Sequence, residues 1–151
     1  MPAKAANTMD INRAIRDQLK NGYNVIKVKD LSSQHAIAVG IARNVEIIVE
    51  GRAGNYLGAL NTGGIITLKP QGTRVAAGDY VGDMMRSGGI IITGDVGKYA
   101  GCHMKGGIII LRGDAGYGAA SRNAGGVIIV NGSVENDCGL DMVSGDVIIT
   151  G

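Results

Sequence analysis

The side chains that most often carry out chemistry are few in this chain, and they form no known motif. His35 and His103 have no second histidine, cysteine or carboxylate at the spacing of a metal-binding motif. We interpret both as ordinary surface or hydrogen-bonded histidines. Cys102 and Cys138 fit no Cys-x-x-Cys motif, which predicts reduced thiols that fill space, with a reactive thiol as the alternative.

The glycines and aspartates also lack the context of a ligand-binding loop. No glycine-rich stretch opens a helix after a strand, so the chain has no phosphate-binding or dinucleotide-binding motif. Asp79, Asp95 and Asp114 follow glycines, as in calcium-binding β-rolls, but those proteins need a nine-residue repeat with more aspartates. We expect these aspartates to form turns. We therefore predict no catalytic, cofactor-binding or metal-binding residue.

The glycines instead mark a repeat of nineteen residues between residues 44 and 151. Gly94-Asp95-Val96-Gly97 and Gly113-Asp114-Ala115-Gly116 lie nineteen residues apart, and the full unit reads Gly-x-small-Gly-x-x-x-Gly-x-x-x-x-Gly-Gly-Ile-x-Ile. A fixed period near 20 is typical of repeat architectures. Glycine suits such a unit because tight corners require φ > 0 and leave no space for a Cβ atom.

Each unit contains one short β-branched run bounded by glycines, which predicts a strand. The runs are Ile47-Ile48-Val49, Ile65-Ile66-Thr67-Leu68, Ile90-Ile91-Ile92, Ile108-Ile109-Ile110-Leu111, Val127-Ile128-Ile129-Val130 and Val147-Ile148-Ile149. A nineteen-residue unit cannot enclose a core alone, so identical units must stack with parallel strands. We predict an all-β fold, a single-stranded right-handed parallel β-helix (β-solenoid) of about five coils.

The segment before the repeats has a different pattern. Residues 1–43 are predicted to form a tail (1–8), a short amphipathic helix from Met9, and two strands at Tyr23–Lys29 and Ala36–Ile41, separated by a polar turn at 30–34. Thr8 or Asp10 is the expected N-cap of the helix. Together these elements cap the N-terminal end of the solenoid formed by residues 44–151, within a single domain.

One repeat is longer than the others. Gly51 and Gly94 are separated by 43 residues, which is two periods plus five, and the surplus falls at 69–74. Pro70 cannot donate a hydrogen bond to a strand ladder. We expect an exposed loop here, which either contacts a partner or has no role.

The sequence argues against nucleic-acid binding and against a membrane-spanning or secreted protein. Lys and Arg number 15 against 13 Asp and Glu, and Phe and Trp are absent, so neither charge nor aromatic side chains favour nucleic-acid binding. The chain has no apolar run of eighteen residues and no signal peptide, so we expect a soluble cytoplasmic protein.

Stacking of the repeats aligns equivalent residues into columns. Alternation along the strands points the Ile47 and Val49 columns inward and the position between them outward. The outward column contains Ile48, Ile91, Ile110, Ile129 and Ile148, which is more apolar surface than a soluble monomer usually exposes. We consider three explanations: either the N-terminal helix covers this column, or a neighbouring protein chain covers it, or a corner turns it inward. Tyr56, Tyr80 and Tyr99 also align, and we predict a stabilising ladder there rather than a binding platform.

The repeat resembles a known family. The unit Gly54-x3-Gly58-x4-Gly63-Gly64-Ile65, with a copy at Gly97-x3-Gly101-x4-Gly106-Gly107-Ile108, resembles the GXGXG domain that forms the C-terminal β-helix (domain 3) of the glutamate synthase large subunit. One of the subunits of formylmethanofuran dehydrogenase has the same repeat. The resemblance covers about residues 9–151, and Asn12-Arg13-Ala14-Ile15 with the segment 35–40 is more similar to stand-alone glutamate synthase domain 3 proteins.

The resemblance implies a non-catalytic scaffold subunit of a glutamate synthase-like oxidoreductase. Its partners would be amidotransferase-type and FMN-binding subunits, and FMN and iron–sulfur clusters are expected only on those partners. Residue 2 is Pro2 rather than the N-terminal cysteine of an amidotransferase, and 151 residues leave no room for an FMN-binding barrel. The alternatives are a component like the GXGXG subunit of formylmethanofuran dehydrogenase, or a scaffold that self-associates through its solenoid ends, since the repeat stops at Thr150-Gly151.

Overall fold

Seven parallel strands form one sheet in which the spatial order follows the chain order. The computed structural model describes residues 7–151. Its elements are α1 (Thr8–Lys20), β1 (Val25–Ser32), β2 (Glu46–Arg52), β3 (Thr62–Lys69), β4 (Ser87–Thr93), β5 (Ile108–Arg112), β6 (Ala124–Val130) and β7 (Ser144–Ile149). The predicted all-β parallel solenoid is confirmed, with about seven turns rather than five. The count is higher partly because β1, predicted as a cap, pairs in parallel with β2 and is itself a turn of the stack.

The strand register follows the sequence period. Ile47 pairs with Ile66, nineteen residues later, whereas Ile66 pairs with Ile90, so the longer coil lies between β3 and β4. Ile47, Ile66 and Ile90 are fully buried, as are the residues two positions after each of them, such as Val49. The core therefore consists of two stacked columns of aliphatic side chains, as the alternation predicts.

The turns are held together by hydrogen bonds between coils. In one coil Tyr56, Gly58 and Leu60 all have positive φ, at 63°, 66° and 58°. The amide of Tyr56 donates to the Asp79 carbonyl of the next coil at 2.8 Å, and that of Gly58 donates to the Ile37 carbonyl of the previous coil at 3.0 Å. Alternating left-handed residues thus direct N–H groups to the coils on both sides.

This turn geometry corrects the second strand predicted at Ala36–Ile41. Ala36, Ala38 and Gly40 have φ of 54°, 55° and 69°, so the segment forms the turn of the first coil. No glycine indicates the positive φ of Ala36 and Ala38, and the alternating β-branched residues Ile37, Val39 and Ile41 predicted a strand instead. The first predicted strand is confirmed but shifted, because β1 runs on to Ser32 through a bulge between Val28 and Leu31.

Helix α1 packs on the first coil. Ile11, Ile15 and Leu19 are buried in the common core. The side chain of Asn12 donates to the Ala36 carbonyl at 2.7 Å and accepts from the Ala38 amide at 2.9 Å. No helix within residues 7–151 is long and apolar enough to cross a membrane.

The start of α1 differs from the prediction. The N-cap is Asn7, whose side-chain oxygen accepts from the Asp10 amide at 2.9 Å, rather than Thr8 or Asp10. Asn7 and Thr8 therefore belong to the helix and its cap, and residues 1–6 of the predicted tail lie outside the described residues.

The predicted exposed loop is confirmed. Residues 71–75 are exposed between β3 and the next turn. Arg74, at the end of the loop, donates to the carboxylates of Asp95 at 2.7 Å and Asp114 at 2.9 Å, on the two following coils. Because 76% of the Arg74 side chain is exposed, we expect these ion pairs to contribute little to stability.

Two buried asparagines fix the turns that lead into β3 and β6. The Asn61 side chain accepts from the amides of Gly63 and Gly64 at 3.1 and 2.9 Å, and donates to the Gly64 carbonyl at 2.8 Å. Asn123 makes the same three bonds with the glycine pair at the start of β6. These side chains satisfy backbone groups that face the apolar interior.

We predict that Gly107→Val is far more damaging than Ala120→Gly. Gly107 has φ of 87°, and an added Cβ would lie 3.0 Å from the Gly88 carbonyl oxygen, so a β-branched residue is both strained and crowded. The loss should be about 2–5 kcal/mol. Ala120 already holds φ of 60°, and glycine there exchanges a lost methyl contact for relief of strain, within about 1 kcal/mol. Denaturant unfolding of both variants measures the difference, and equal stability would contradict the turn assignment.

Candidate functional site

The outward side of the strands contains an open apolar groove. It has a volume of about 360 Å³, and its apolar lining consists mainly of Ile65, Ile91, Ile108 and Ile110, which we call the outer isoleucine surface. Ile65 and Ile108 are 42% and 47% exposed. Of the predicted outward column, Ile48, Ile91, Ile110 and Ile129 are half-buried by stacking and Ile148 is exposed.

The groove exists because one side chain is missing from a column. In the strand register Gly89 lies between Ile65 on β3 and Ile108 on β5. A Cβ atom added at Gly89 would meet its nearest neighbours at 3.8 and 3.9 Å, which is ordinary van der Waals contact. Neither close packing nor positive φ requires glycine at this position, in contrast to the turn glycines.

The described part of the chain does not cover this surface. The side-chain hydrogen bonds of α1 go to His35, Ala36 and Ala38 in the first turn, and Arg43 donates to the Leu19 carbonyl. Ile65, Ile108 and Ile148 also remain exposed, so the interpretation that α1 covers the outward side is wrong. The outward residues lie inside strands in which burial alternates, so a corner does not turn them inward.

The tyrosine ladder is confirmed and has a fourth member. Tyr56 and Tyr80 stack with ring centroids 4.9 Å apart, and Tyr80 and Tyr99 stack at 5.1 Å. Tyr117 meets Tyr99 edge-on at 5.6 Å. The hydroxyl of Tyr117 donates to the carboxylate of Asp137. Both geometries are favourable for aromatic pairs, which agrees with a stabilising role.

The repeat aspartates connect successive coils. Asp79, Asp95 and Asp114 each accept a hydrogen bond from a backbone amide nineteen residues later, all at 2.8 Å. The prediction that these carboxylates form their own turns is therefore corrected, since each of them holds the next coil.

Two of the histidine and cysteine candidates, His35 and Cys138, lie in different coils. His35 lies at the first turn, where its Nδ1 atom accepts from the Asn55 amide at 2.7 Å. Cys138 is a half-buried free thiol packed against the core, and burial raises its pKa. These positions fit the interpretation of a hydrogen-bonded histidine and a space-filling cysteine.

His103 and Cys102 belong to a cluster that the sequence motifs did not indicate. Cys102 Sγ lies 3.1 Å from His103 Nδ1, and His103 Nδ1 lies 3.5 Å from Asp83 Oδ1. One potential ligand atom from each of Asp83, Cys102 and His103 lies within 4.8 Å of the others. Asp83 precedes Cys102 by nineteen residues, one repeat, so the coil spacing was the signal that could have found it.

The cluster is not arranged as a nucleophilic triad. In such a triad the acid orients one imidazole nitrogen while the other activates the nucleophile. Here the thiol and the carboxylate both approach Nδ1. Burial and the neighbouring Asp83 charge raise the pKa of Cys102, which favours the unreactive thiol.

Comparisons of the chain with protein-family models, curated proteins and solved structures gave no match. The resemblance to the GXGXG domain therefore depends on the sequence pattern alone.

We predict that Asp137→Asn lowers the pKa of Tyr117. The hydrogen bond to Asp137 and its negative charge raise this pKa above the ordinary value of about 10. Because the folded-state pKa is the higher one, the stabilisation from this pair is present below about pH 10 and is lost as pH rises through the folded-state pKa. Ultraviolet absorbance titration of tyrosinate should show one group titrating earlier in the variant. Asp146→Asn is the control, and an unchanged titration in Asp137→Asn would contradict the pairing.

Proposed function

We propose that the chain is a non-catalytic structural subunit that positions the amidotransferase-type and FMN-binding subunits of a glutamate synthase-like oxidoreductase. The observation that carries the proposal is the open outer isoleucine surface on a rigid stack of coils. The resemblance of residues 9–151 to the GXGXG domain supplies the identity of the partners. The chemistry, with FMN and iron–sulfur clusters, would belong to those partners.

A rigid stack suits this role. Each coil is hydrogen-bonded to its neighbours through both its strand and its turn, so points along the solenoid keep fixed separations. Subunits docked at different heights would then be held at a fixed distance from each other. Exposed apolar patches rimmed by polar residues commonly mark protein–protein interfaces.

The groove is suited to a protruding apolar side chain of a partner. Its walls are isoleucines of β3, β4 and β5, and its floor is the backbone around Gly88 and Gly89. Apolar anchors that fill such pockets provide much of the binding energy at protein interfaces. The flanking Ser87 and Asn44 offer polar groups at the rim.

We predict that Ile108→Glu weakens partner binding. In the complex, a carboxylate in the groove would lose its hydration without gaining a hydrogen bond or an ion pair. This should weaken association by at least about tenfold. Leu60→Glu is the matched control, because Leu60 is also 47% exposed but lies in a turn. Native co-purification followed by mass spectrometry should recover amidotransferase-type and flavin-binding subunits with the parent chain and with Leu60→Glu.

Gly89→Ile tests the same groove by filling it. The backbone accepts a side chain there, so the variant should stay folded while losing the partners. Recovery of the same subunits with both groove variants would contradict the docking surface. Recovery of formylmethanofuran dehydrogenase subunits with the parent chain would instead favour the alternative in which the chain serves that enzyme.

Self-association through the solenoid end is the second candidate. Ile149 occupies the inward column whose other members are fully buried, yet it is 44% exposed on the last coil described. Val143, nearby in the same coil, is 82% exposed. If a second copy covers this end, light scattering will show a dimer at micromolar concentration and Ile149→Lys will convert it to monomer. A concentration-independent monomer would exclude this candidate.

A further inference from the structure

We propose that Asp83, Cys102 and His103 form a binding site for a divalent transition metal, with Zn²⁺ the best match. The three side chains offer a carboxylate oxygen, a sulfur and an imidazole nitrogen within 4.8 Å of one another. Thiolate and imidazole ligands suit zinc, whereas Mg²⁺ and Ca²⁺ prefer oxygen ligands alone.

Two of the three distances between the ligand atoms are close to those around a coordinated ion, and the third, from sulfur to the carboxylate oxygen, is within 4.8 Å. Ligand atoms at about 2.3 Å for sulfur and about 2.0 Å for nitrogen or oxygen from a tetrahedral zinc lie roughly 3.3–3.6 Å apart. The observed separations from His103 Nδ1 are 3.1 Å to sulfur and 3.5 Å to oxygen. Both neighbours approach the same imidazole nitrogen, so a single ion between the three atoms could contact all of them.

Two buried polar atoms at the site make no hydrogen bond within the described residues, and the nearest cationic group to the first of them is the His103 imidazole, at 3.5 Å. They are Asp83 Oδ1 and Ser121 Oγ. Buried polar atoms are normally paired, and an ion is one explanation for an exception. A metal bound to Asp83 would satisfy the first of them.

Ser121 lies one repeat after Cys102 and is 5% exposed. It lines a cavity of about 260 Å³ together with Cys102, His103, Tyr80 and Tyr99. Three protein ligands leave a tetrahedral zinc with one open position, which a water molecule fills in catalytic sites. A water held there would be within the cavity, where the Ser121 hydroxyl can hydrogen-bond to it. Ser121 would thus support the site without being a ligand.

The repeat builds the site from three successive coils. Asp83, Cys102 and Ser121 are equivalent positions nineteen residues apart, and His103 follows Cys102 with φ of 56°. The left-handed conformation is stabilised by the hydrogen bond from the His103 amide to the Ser121 carbonyl at 3.0 Å. A thiolate and a carboxylate together would neutralise a dication, so the nearby Arg122 side chain does not oppose a net charge at the site. The site does not require the outer isoleucine surface to bind a partner.

Cobalt and zinc titrations test the proposal, because the chain supplies matched controls. Co²⁺ should bind one per chain and give a thiolate-to-cobalt charge-transfer band with tetrahedral d–d bands. The bands should persist in Cys138→Ser and His35→Gln and disappear in Cys102→Ser. Competition with a chromophoric zinc indicator should show at least a tenfold loss of Zn²⁺ affinity in Asp83→Asn and in His103→Gln. Ser121→Ala should lose less than either of these ligand variants.

A measurement on the unaltered chain covers the case in which a variant fails to fold. Zn²⁺ should slow alkylation of Cys102 at least tenfold without changing that of Cys138, as read by mass spectrometry of the modified peptides. Absence of one-to-one binding, cobalt spectra without a thiolate band, or equal protection of both cysteines would overturn the proposal.

Discussion

Hydrogen bonding between successive coils at left-handed turn residues is the constraint on which the rest of the structure depends. A left-handed conformation costs a non-glycine residue roughly 1–2 kcal/mol. Tyr80, Met84 and His103 nevertheless adopt it, with φ of 60°, 56° and 56°. Each of their amides donates to a carbonyl of the next coil at 2.8–3.0 Å. The stack as a whole offsets the local strain, so the turn geometry is repeated even where glycine is absent.

That constraint turns the sequence period into columns of side chains. Any residue type that recurs every nineteen positions becomes a ladder, such as the tyrosines and the outward isoleucines. Where the residue type changes along a column, different functional groups meet across a coil boundary. Asp83 and Cys102 come together in this way, and Gly89 leaves a gap between two isoleucines. The outer isoleucine surface and the Asp83–Cys102–His103 cluster therefore form where the residue type changes along a column that the repeat has aligned.

The sequence predicted the parallel stack because glycine spacing and β-branched runs report directly on corners and strands. It did not predict the first coil correctly, since Ala36 and Ala38 take positive φ without a glycine to indicate it. Nor did it predict the helix N-cap. This is Asn7, whose side chain accepts a hydrogen bond from the Asp10 amide, rather than Thr8 or Asp10. The cluster at His103 was missed because motif searches consider ligands a few residues apart, whereas a solenoid brings together residues one full period apart.

The outer isoleucine surface and the Asp83–Cys102–His103 cluster depend on the backbone in different ways. The groove beside Gly89 lies on the strand side, where the backbone would accept a side chain, so it can be filled without disturbing the stack. The cluster at Cys102 lies in the turn, where His103 has a left-handed conformation and its amide donates to a carbonyl of the next coil. Loss of a ligand there leaves the backbone pairing intact, because the amides of Met84 and His103 donate to the backbone carbonyls of Cys102 and Ser121 and not to side chains. The proposed docking surface and the proposed metal site can therefore be altered independently of each other.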